Sequence, residues 1–318
     1  MFTWKKLGLI FNPLHVKDRP WLKEFAQAPC ALVFDEFVRI YFSCRPPADE
    51  NGQYVSYSAY VDFDRKNLFA VQHVSENPIL QLGERGTFDE FGTYPVSVIR
   101  DNKDIIAYYA GWTRCESVPF NVAIGMAKSH DGGITFTKLG PGPILSYSYD
   151  EPFILSGPKI RKFNNKWYLW YIAGKKWVYN GGKPEPVYKI RMASSDDGMN
   201  WTKLERDLIE SKLEPDEAQA SPDVFFYNDQ YHMFFCYRYS LDFRGKERGY
   251  RIGYASSKDL VNWVRNDDKA GIDISSEGWD SEMISYPHIL QLDGRVFMFY
   301  LGNSVGRFGF GVAELTNL

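Results

Sequence analysis

The segment Asp216–Ser240, DEAQASPDVFFYNDQYHMFFCYRYS, sets the pattern for the chain. An acidic pair leads to Pro222, an apolar run Val224–Tyr227 follows, Asn228-Asp229 makes a turn, and Tyr231–Tyr237 alternates and carries aromatics. Two such runs around a two-residue turn predict a β-hairpin. The layout recurs at Pro29, Pro95, Pro158 and Pro287, and the gaps counted through Pro222 are 66, 63, 64 and 65 residues. Five near-equal units fill the 318 residues, so the period rather than the length sets the architecture.

Each unit supplies strand-like runs. In the first these are Cys30–Phe34, Phe37–Ser43, Tyr54–Asp62 and a weaker Leu68–His73; the second has Val96–Arg100, Ile105–Gly111, Asn121–Ser129 and Phe136–Leu139. The third has Lys159–Phe163, Lys166–Ile172, Tyr188–Ser194 and Trp201–Leu204; the fourth has Val224–Tyr227, Tyr231–Tyr237, Gly249–Ser256 and Trp263-Val264. The fifth ends after His288–Leu292, Arg295–Leu301 and Phe308–Leu315 and lacks a fourth run. Phe2-Thr-Trp4-Lys-Lys-Leu7 at the N-terminus matches the missing strand, as the fourth strands FTKL and WTKL elsewhere show. The reading is all-β: a five-bladed β-propeller, one domain over 1–318, four antiparallel strands per blade, with an N-terminal strand closing the last blade. Asp207–Ala220, between units, has room for a helical turn.

Composition agrees. The chain is 44% apolar, 24% charged and 17% aromatic, and aromatics favour strands. The net charge of −3 gives no basis for a nucleic-acid or anionic-membrane partner. No segment is long and apolar enough to span a bilayer, and the apolar run near the start is too short for a secretory signal. Cys30, Cys44, Cys115 and Cys236 show neither paired nor metal-type spacing, so free thiols in a cytoplasmic protein are expected. No metal site and no cofactor are expected. Oligomeric state is open.

The turns between third and fourth strands carry a motif. Ser129-His-Asp131-Gly-Gly133-Ile-Thr135-Phe136 and Ser194-Ser-Asp196-Asp-Gly198-Met-Asn-Trp201 fit S-x-D-x-G-x-x-[WF], and Ser257-Lys-Asp259-Leu-Val-Asn-Trp263 is shorter by one. These resemble the Asp-box of sialidases and other propellers. The aspartates are read as turn-capping groups, because Asp accepting turn amides explains them fully.

With five blades, S-x-D-L-x-x-W turns and acid-Pro-apolar openings, the chain resembles the five-bladed glycoside hydrolases: the arabinanase/xylosidase, invertase/levansucrase and mannoside phosphorylase groups. The resemblance spans the whole chain as architecture. Ser221-Pro222-Asp223-Val224 looks like the A-P-D-V that carries the acid-tuning Asp of the arabinanase group. That group's Asp-Pro base is replaced here by Ala28-Pro29, and its Glu before Gly-Pro by Ser156 in Leu155-Ser156-Gly157-Pro158. The invertase signature is not present.

Propeller geometry then locates the site. First strands begin, and second strands end, on one face around the channel mouth. Residues beside each opening proline and at second-strand ends are expected to converge there. Glu24, Glu90, Glu217 and Glu282 stand five before a proline, and Glu151 stands seven before Pro158; a repeated glutamate also reads as a structural ring. Glycoside cleavage by two carboxyl groups makes Asp223, Glu217, Glu282 and Glu151 the catalytic candidates. Arg45, Glu90, Trp112, Arg114, Lys159, Trp177, Arg238 and His288 are the substrate-binding candidates, with the two indoles equally readable as core. The arginines and Lys159 exceed what a neutral sugar needs and suit an anionic group. The expected function is a carbohydrate-active enzyme, a glycoside hydrolase acting at the channel mouth by carboxylate acid/base catalysis on a sugar, neutral or charged. The alternatives are a phosphorylase or transferase at the same mouth, and a catalytically silent glycan-binding propeller.

Overall fold

The computed structural model describes residues 1–317. Five four-stranded antiparallel sheets form a ring. Blade I comprises Glu24–Val33, Phe37–Arg45, Tyr57–Asp64 and Asn67–Val74, and blade II comprises Gly92–Asp101, Asp104–Arg114, Phe120–Ser129 and Thr137–Lys138. Blade III is Leu155–Phe163, Lys166–Asn180, Lys183–Ser195 and Thr202–Lys203, and blade IV is Ala218–Tyr227, Gln230–Arg238, Arg251–Ser257 and Val264–Arg265. Blade V is Ser285–Leu292, Arg295–Leu301, Phe310–Leu315 and, as its outermost strand, Trp4–Phe11.

The ring closes as the sequence implies. Trp4–Phe11 runs antiparallel to Phe310–Leu315, from Trp4 opposite Leu315 to Phe11 opposite Phe310. Trp4 is buried, its indole Nε1 donates to the Ala270 carbonyl at 3.0 Å, and its ring meets Phe234 edge-on at 5.5 Å. Apolar side chains fill the spaces between blades. Phe11, Phe299 and Phe310 of blade V, for example, pack with Phe42 and Phe63 of blade I. Alternation directs one face of each strand to each neighbour.

Three local expectations are corrected. The inner strands begin several residues before the proline, because each resumes after a bulge there: the ladder jumps from Gln27 to Cys30, Thr93 to Val96, Ser156 to Lys159, Ala220 to Asp223 and Ser285 to His288. A proline has no N–H for the ladder, so a bulge accommodates it. Asp207–Ala220 contains no helix; it runs through bends and turns into the inner strand of blade IV. In blade III the capping pair is Ser195/Asp197 rather than Ser194/Asp196: Ser195 Oγ donates to Asp197, whose carboxylate takes the Met199 and Asn200 amides at 2.8 Å. Asp259 does the same with Val261 and Asn262, so these two turns share one spacing and Asp131's is longer. The four cysteines are unpaired.

Candidate functional site

Each opening proline lays down two layers of side chains. The residue before it enters the bulge. Ala28, Gly157, Ser221 and Tyr286 adopt left-handed backbone, with φ of 51°, 59°, 48° and 53°, and in blade II the Tyr94–Pro95 peptide is cis. Left-handed φ on non-glycine residues carries strain of about 1–3 kcal/mol each, which the surrounding ladder must hold. Of these five, Tyr94, Gly157, Ser221 and Tyr286 face a mouth cavity of about 950 Å³. The residue after each proline, Cys30, Val96, Lys159, Asp223 or His288, lies one level deeper and is buried in the channel.

The deeper layer is a closed network. Asp223 takes a two-pronged ion pair from Arg161 at 2.9 and 2.7 Å and the Ile289 amide at 2.7 Å, and lies 3.0 Å from His288 Nδ1. His288 Nε2 accepts the Ala31 amide at 2.9 Å, which fixes the ring proton on Nδ1. Lys159 Nζ donates to the Pro29 carbonyl and lies 3.2 Å from His288 Nδ1. Burial alone would raise the Asp223 carboxyl, but Arg161, His288 and Lys159 outweigh it and hold it well below the usual carboxylate range. Burial, and then the Lys159 ammonium, push His288 down to about 4 against the pull of Asp223, and burial lowers Lys159. On its other side His288 borders a smaller cavity of about 430 Å³ with Arg161.

The remaining carboxylate candidates fall elsewhere. Glu151 accepts from Tyr171 at 2.8 Å and pairs with Arg191 at 3.1 Å and with Lys203. Glu217 pairs with Arg265 at 2.6 Å and takes Gln219 and the Lys212 and Leu213 amides. Burial tends to raise Glu217, and the Arg265 hydrogen bond and charge together with Gln219 and the Leu213 amide outweigh it and lower the carboxyl. Asp89 with Tyr109 and Lys138, and Asp280 with Tyr300 and Lys6, repeat the arrangement. These four acids form a structural ring, each joining an outer-strand cation to the start of its blade. Glu90 instead accepts the Gly86 amide, and Glu282 is exposed, with its amide on Asn303. None of Glu90, Glu151, Glu217, Asp223 and Glu282 faces the mouth cavity.

The walls of that cavity come from second-strand ends and the loops beyond. Arg45, Trp112, Arg114 and Arg238 line it, and Lys183, Arg244 and Arg307 join them. Trp112 lies so close over Gly92 that any Cβ there would strike its indole. Trp177 does not line the cavity; it packs against Phe120 and Phe153 at 5.6 and 6.0 Å. Glu185, the one carboxylate lining the cavity among the described residues, is held by Arg244 at 2.6 Å. Arg307 pairs with Glu24 at 2.8 Å, and Arg114 stands 4.0 Å from Asp49. Among the described residues Arg45 and Arg238 have no carboxylate partner. Arg45 rests over the Phe25, Tyr54 and Tyr94 rings. Tyr54, Tyr94, Tyr188, Tyr250 and Tyr286 complete the lining. The sequence reading missed these tyrosines, although Tyr94-Pro95 and Tyr286-Pro287 mark two of them.

The mouth is therefore an open, cationic, tyrosine-walled cavity of ligand size with no carboxylate on its floor among the described residues. Comparison with known proteins places the fold among the five-bladed propeller glycoside hydrolases. A solved structure described as "Glycoside hydrolase" superposes with a TM-score of 0.76 at 16% identity, covering 98% of this chain and 92% of that one. In sequence, the chain is 33% identical over 316 residues to Uncharacterized protein Rv1502 of Mycobacterium tuberculosis (strain ATCC 25618 / H37Rv), covering 99% of this chain and all of that protein. It is also 30% identical over 139 residues to the beta-1,2-mannobiose phosphorylase of Thermoanaerobacter sp. (strain X514), covering 40% of this chain and 44% of that enzyme. No family model matches the chain.

Proposed function

We propose, from the premise that the chain belongs to the family of the Mycobacterium tuberculosis protein Rv1502, that its channel mouth recognises a saccharide bearing an anionic group, a carboxylate or a phosphate. The observation that carries this reading is the charge of the cavity. Arg45, Arg114, Lys183, Arg238, Arg244 and Arg307 line it against one carboxylate, Glu185. The aromatic rings offer faces for sugar stacking and the guanidinium groups suit oxyanions. Hydrolysis by paired carboxylates, the expectation from the sequence, finds less support. That mechanism needs two carboxyl groups flanking the bond, and the floor positions beside the prolines are Ala28, Tyr94, Gly157, Ser221 and Tyr286.

Isothermal titration with glucuronate, glucose 6-phosphate and glucose tests the reading. Binding of at least one anionic sugar at least about 10-fold tighter than glucose, weakening as salt rises, is expected. Equal affinity for all three, or binding of none, refutes it. A second reading, phosphorolysis, is favoured by the 139-residue similarity to the mannobiose phosphorylase. Phosphate would then be the anion that takes the glycosyl group, Glu185 the acid available to protonate the departing oxygen, and incubation of β-1,2-mannobiose with phosphate would release mannose 1-phosphate and free mannose.

A further inference from the structure

The cavity holds one side-chain cluster whose hydrogen-bonding capacity is left incomplete. Arg238 is 1% exposed and has no carboxylate partner among the described residues. Its guanidinium is nevertheless fully used. Nε donates to Tyr250 Oη at 3.0 Å, Nη1 to the Tyr239 and Ser240 carbonyls at 2.8 and 3.3 Å, and Nη2 to the Pro186 carbonyl and Tyr188 Oη at 3.0 and 3.3 Å. A guanidinium has five N–H donors, and these contacts account for all of them.

Tyr188 Oη and Tyr250 Oη also face each other at 2.6 Å. Each hydroxyl has one proton to give. Both oxygens already accept from Arg238, and only one of the two protons can lie between them. The other has no acceptor among the described residues. Tyr250 and Tyr188 are 3% and 8% exposed, and both line the mouth cavity, so the spare proton is available to a group inside it. Burial holds the Tyr250 hydroxyl well above its ordinary value, against the pull of Arg238, so it remains a donor at neutral pH. A buried guanidinium with no counter-charge and a spare O–H donor beside it together complement an acceptor that carries negative charge.

We propose that the Arg238–Tyr188–Tyr250 corner is an oxyanion subsite, where the acidic group of the saccharide accepts the spare tyrosine proton and balances the Arg238 charge. The subsite rests on the anionic-saccharide reading of the mouth and adds which side chains take the anion. Arg238 acts through its charge and by orienting the two hydroxyls, since it has no free N–H. The shared chemistry is a carboxylate or a phosphate oxygen, and the two sources are separated by the probes.

The test compares glucuronate, glucose 6-phosphate and glucose on the full chain and on Tyr188→Phe, Tyr250→Phe and the double variant, each checked for an unchanged circular dichroism spectrum. Wild type should favour one of the two anionic sugars, and which one identifies the group. The double variant should lose about 10- to 100-fold in affinity for that sugar, the scale of a hydrogen bond to a charged acceptor, and change little for glucose. One single variant should show most of the loss, that of the tyrosine whose proton the ligand accepts, because the other variant keeps that donor. If wild type prefers the anionic sugar and the double variant retains that preference, the subsite is overturned while the mouth reading stands. If the double variant fails to fold, retention of the preference by both single variants overturns it equally. If wild type shows no preference, both readings fall.

Discussion

Acid should destabilise this fold in a window set largely by His288, with His232, which burial also lowers, adding to it. His288 sits in the channel between Lys159, Arg161 and Asp223, and its Nε2 accepts the Ala31 amide. Protonating Nε2 would break that bond and place a second cation beside the Lys159 ammonium. The folded ring accordingly takes a proton only near about 4, whereas an unfolded histidine takes one near about 6.5. Its folded value is depressed, so its contribution to stability is complete above about 6.5. As pH falls the unfolded chain binds the proton first, and the contribution is lost between about 6.5 and about 4. That gap is worth about 3 kcal/mol. For 318 residues the entropy of unfolding is about 0.7 kcal/mol/K, so the loss corresponds to a fall in Tm of about 4–5 °C. Calorimetry at half-unit pH steps, on wild type and His288→Gln, measures it. Glutamine can accept the Ala31 amide through its carboxamide oxygen but does not titrate. Its Tm should start lower at pH 7 and fall less between pH 6.5 and 4. A variant curve parallel to wild type through that window would refute the argument.

Three further outcomes follow from named contacts. Trp4→Ala should cost about 3–5 kcal/mol, because it empties a buried site and removes the donor to the Ala270 carbonyl at 3.0 Å; an unchanged Tm would remove the closing strand's importance. Glu217→Gln should lower stability by about 1–3 kcal/mol, because Arg265 loses one of its two carboxylate partners and keeps Asp267 at 2.9 Å, while binding at the mouth stays at wild-type affinity; a selective loss of binding with full stability would return Glu217 to the site. Arg45→Met should weaken an anionic sugar by about 10-fold and leave a neutral one unchanged, since Arg45 lines the cavity without a carboxylate partner among the described residues; equal weakening of both would mean it supplies only packing.

The ring was legible because its determinants are local. A proline every 63 to 66 residues, each followed by a hairpin, needs no knowledge of distant contacts, and Trp4 stands out as the strand that blade V lacks. Second-strand ends were legible for the same reason, and Arg45, Arg114 and Arg238 do line one cavity. The structural acids were hidden by loop length. Asp89, Glu151, Glu217 and Asp280 precede their prolines by six, seven, five and seven residues, so counting a constant five selects Glu90 and Glu282 in place of the true equivalents. The tyrosine corner was hidden because Tyr188 stands at a third strand, Tyr250 just before another and Arg238 at the end of a second. Only the packing of blade III against blade IV brings that third strand to Tyr250 and Arg238.

The opening prolines explain how charge is distributed around this channel. In each blade the proline forces a bulge, and the bulge splits the neighbouring side chains between the mouth and the channel. An acid placed after the proline, as Asp223 is, turns into the channel and is consumed by Arg161 and His288. An acid placed before it would meet the ligand, and no blade has one there. Negative charge is thus spent below the floor, where it holds blades III, IV and V together, and positive charge is left on the walls above. On the proposed reading, a cavity built this way is suited to attract an oxyanion rather than to deliver a proton to a glycosidic oxygen. The donors it does offer, Tyr188 and Tyr250 beside Arg238, suit recognition of that anion.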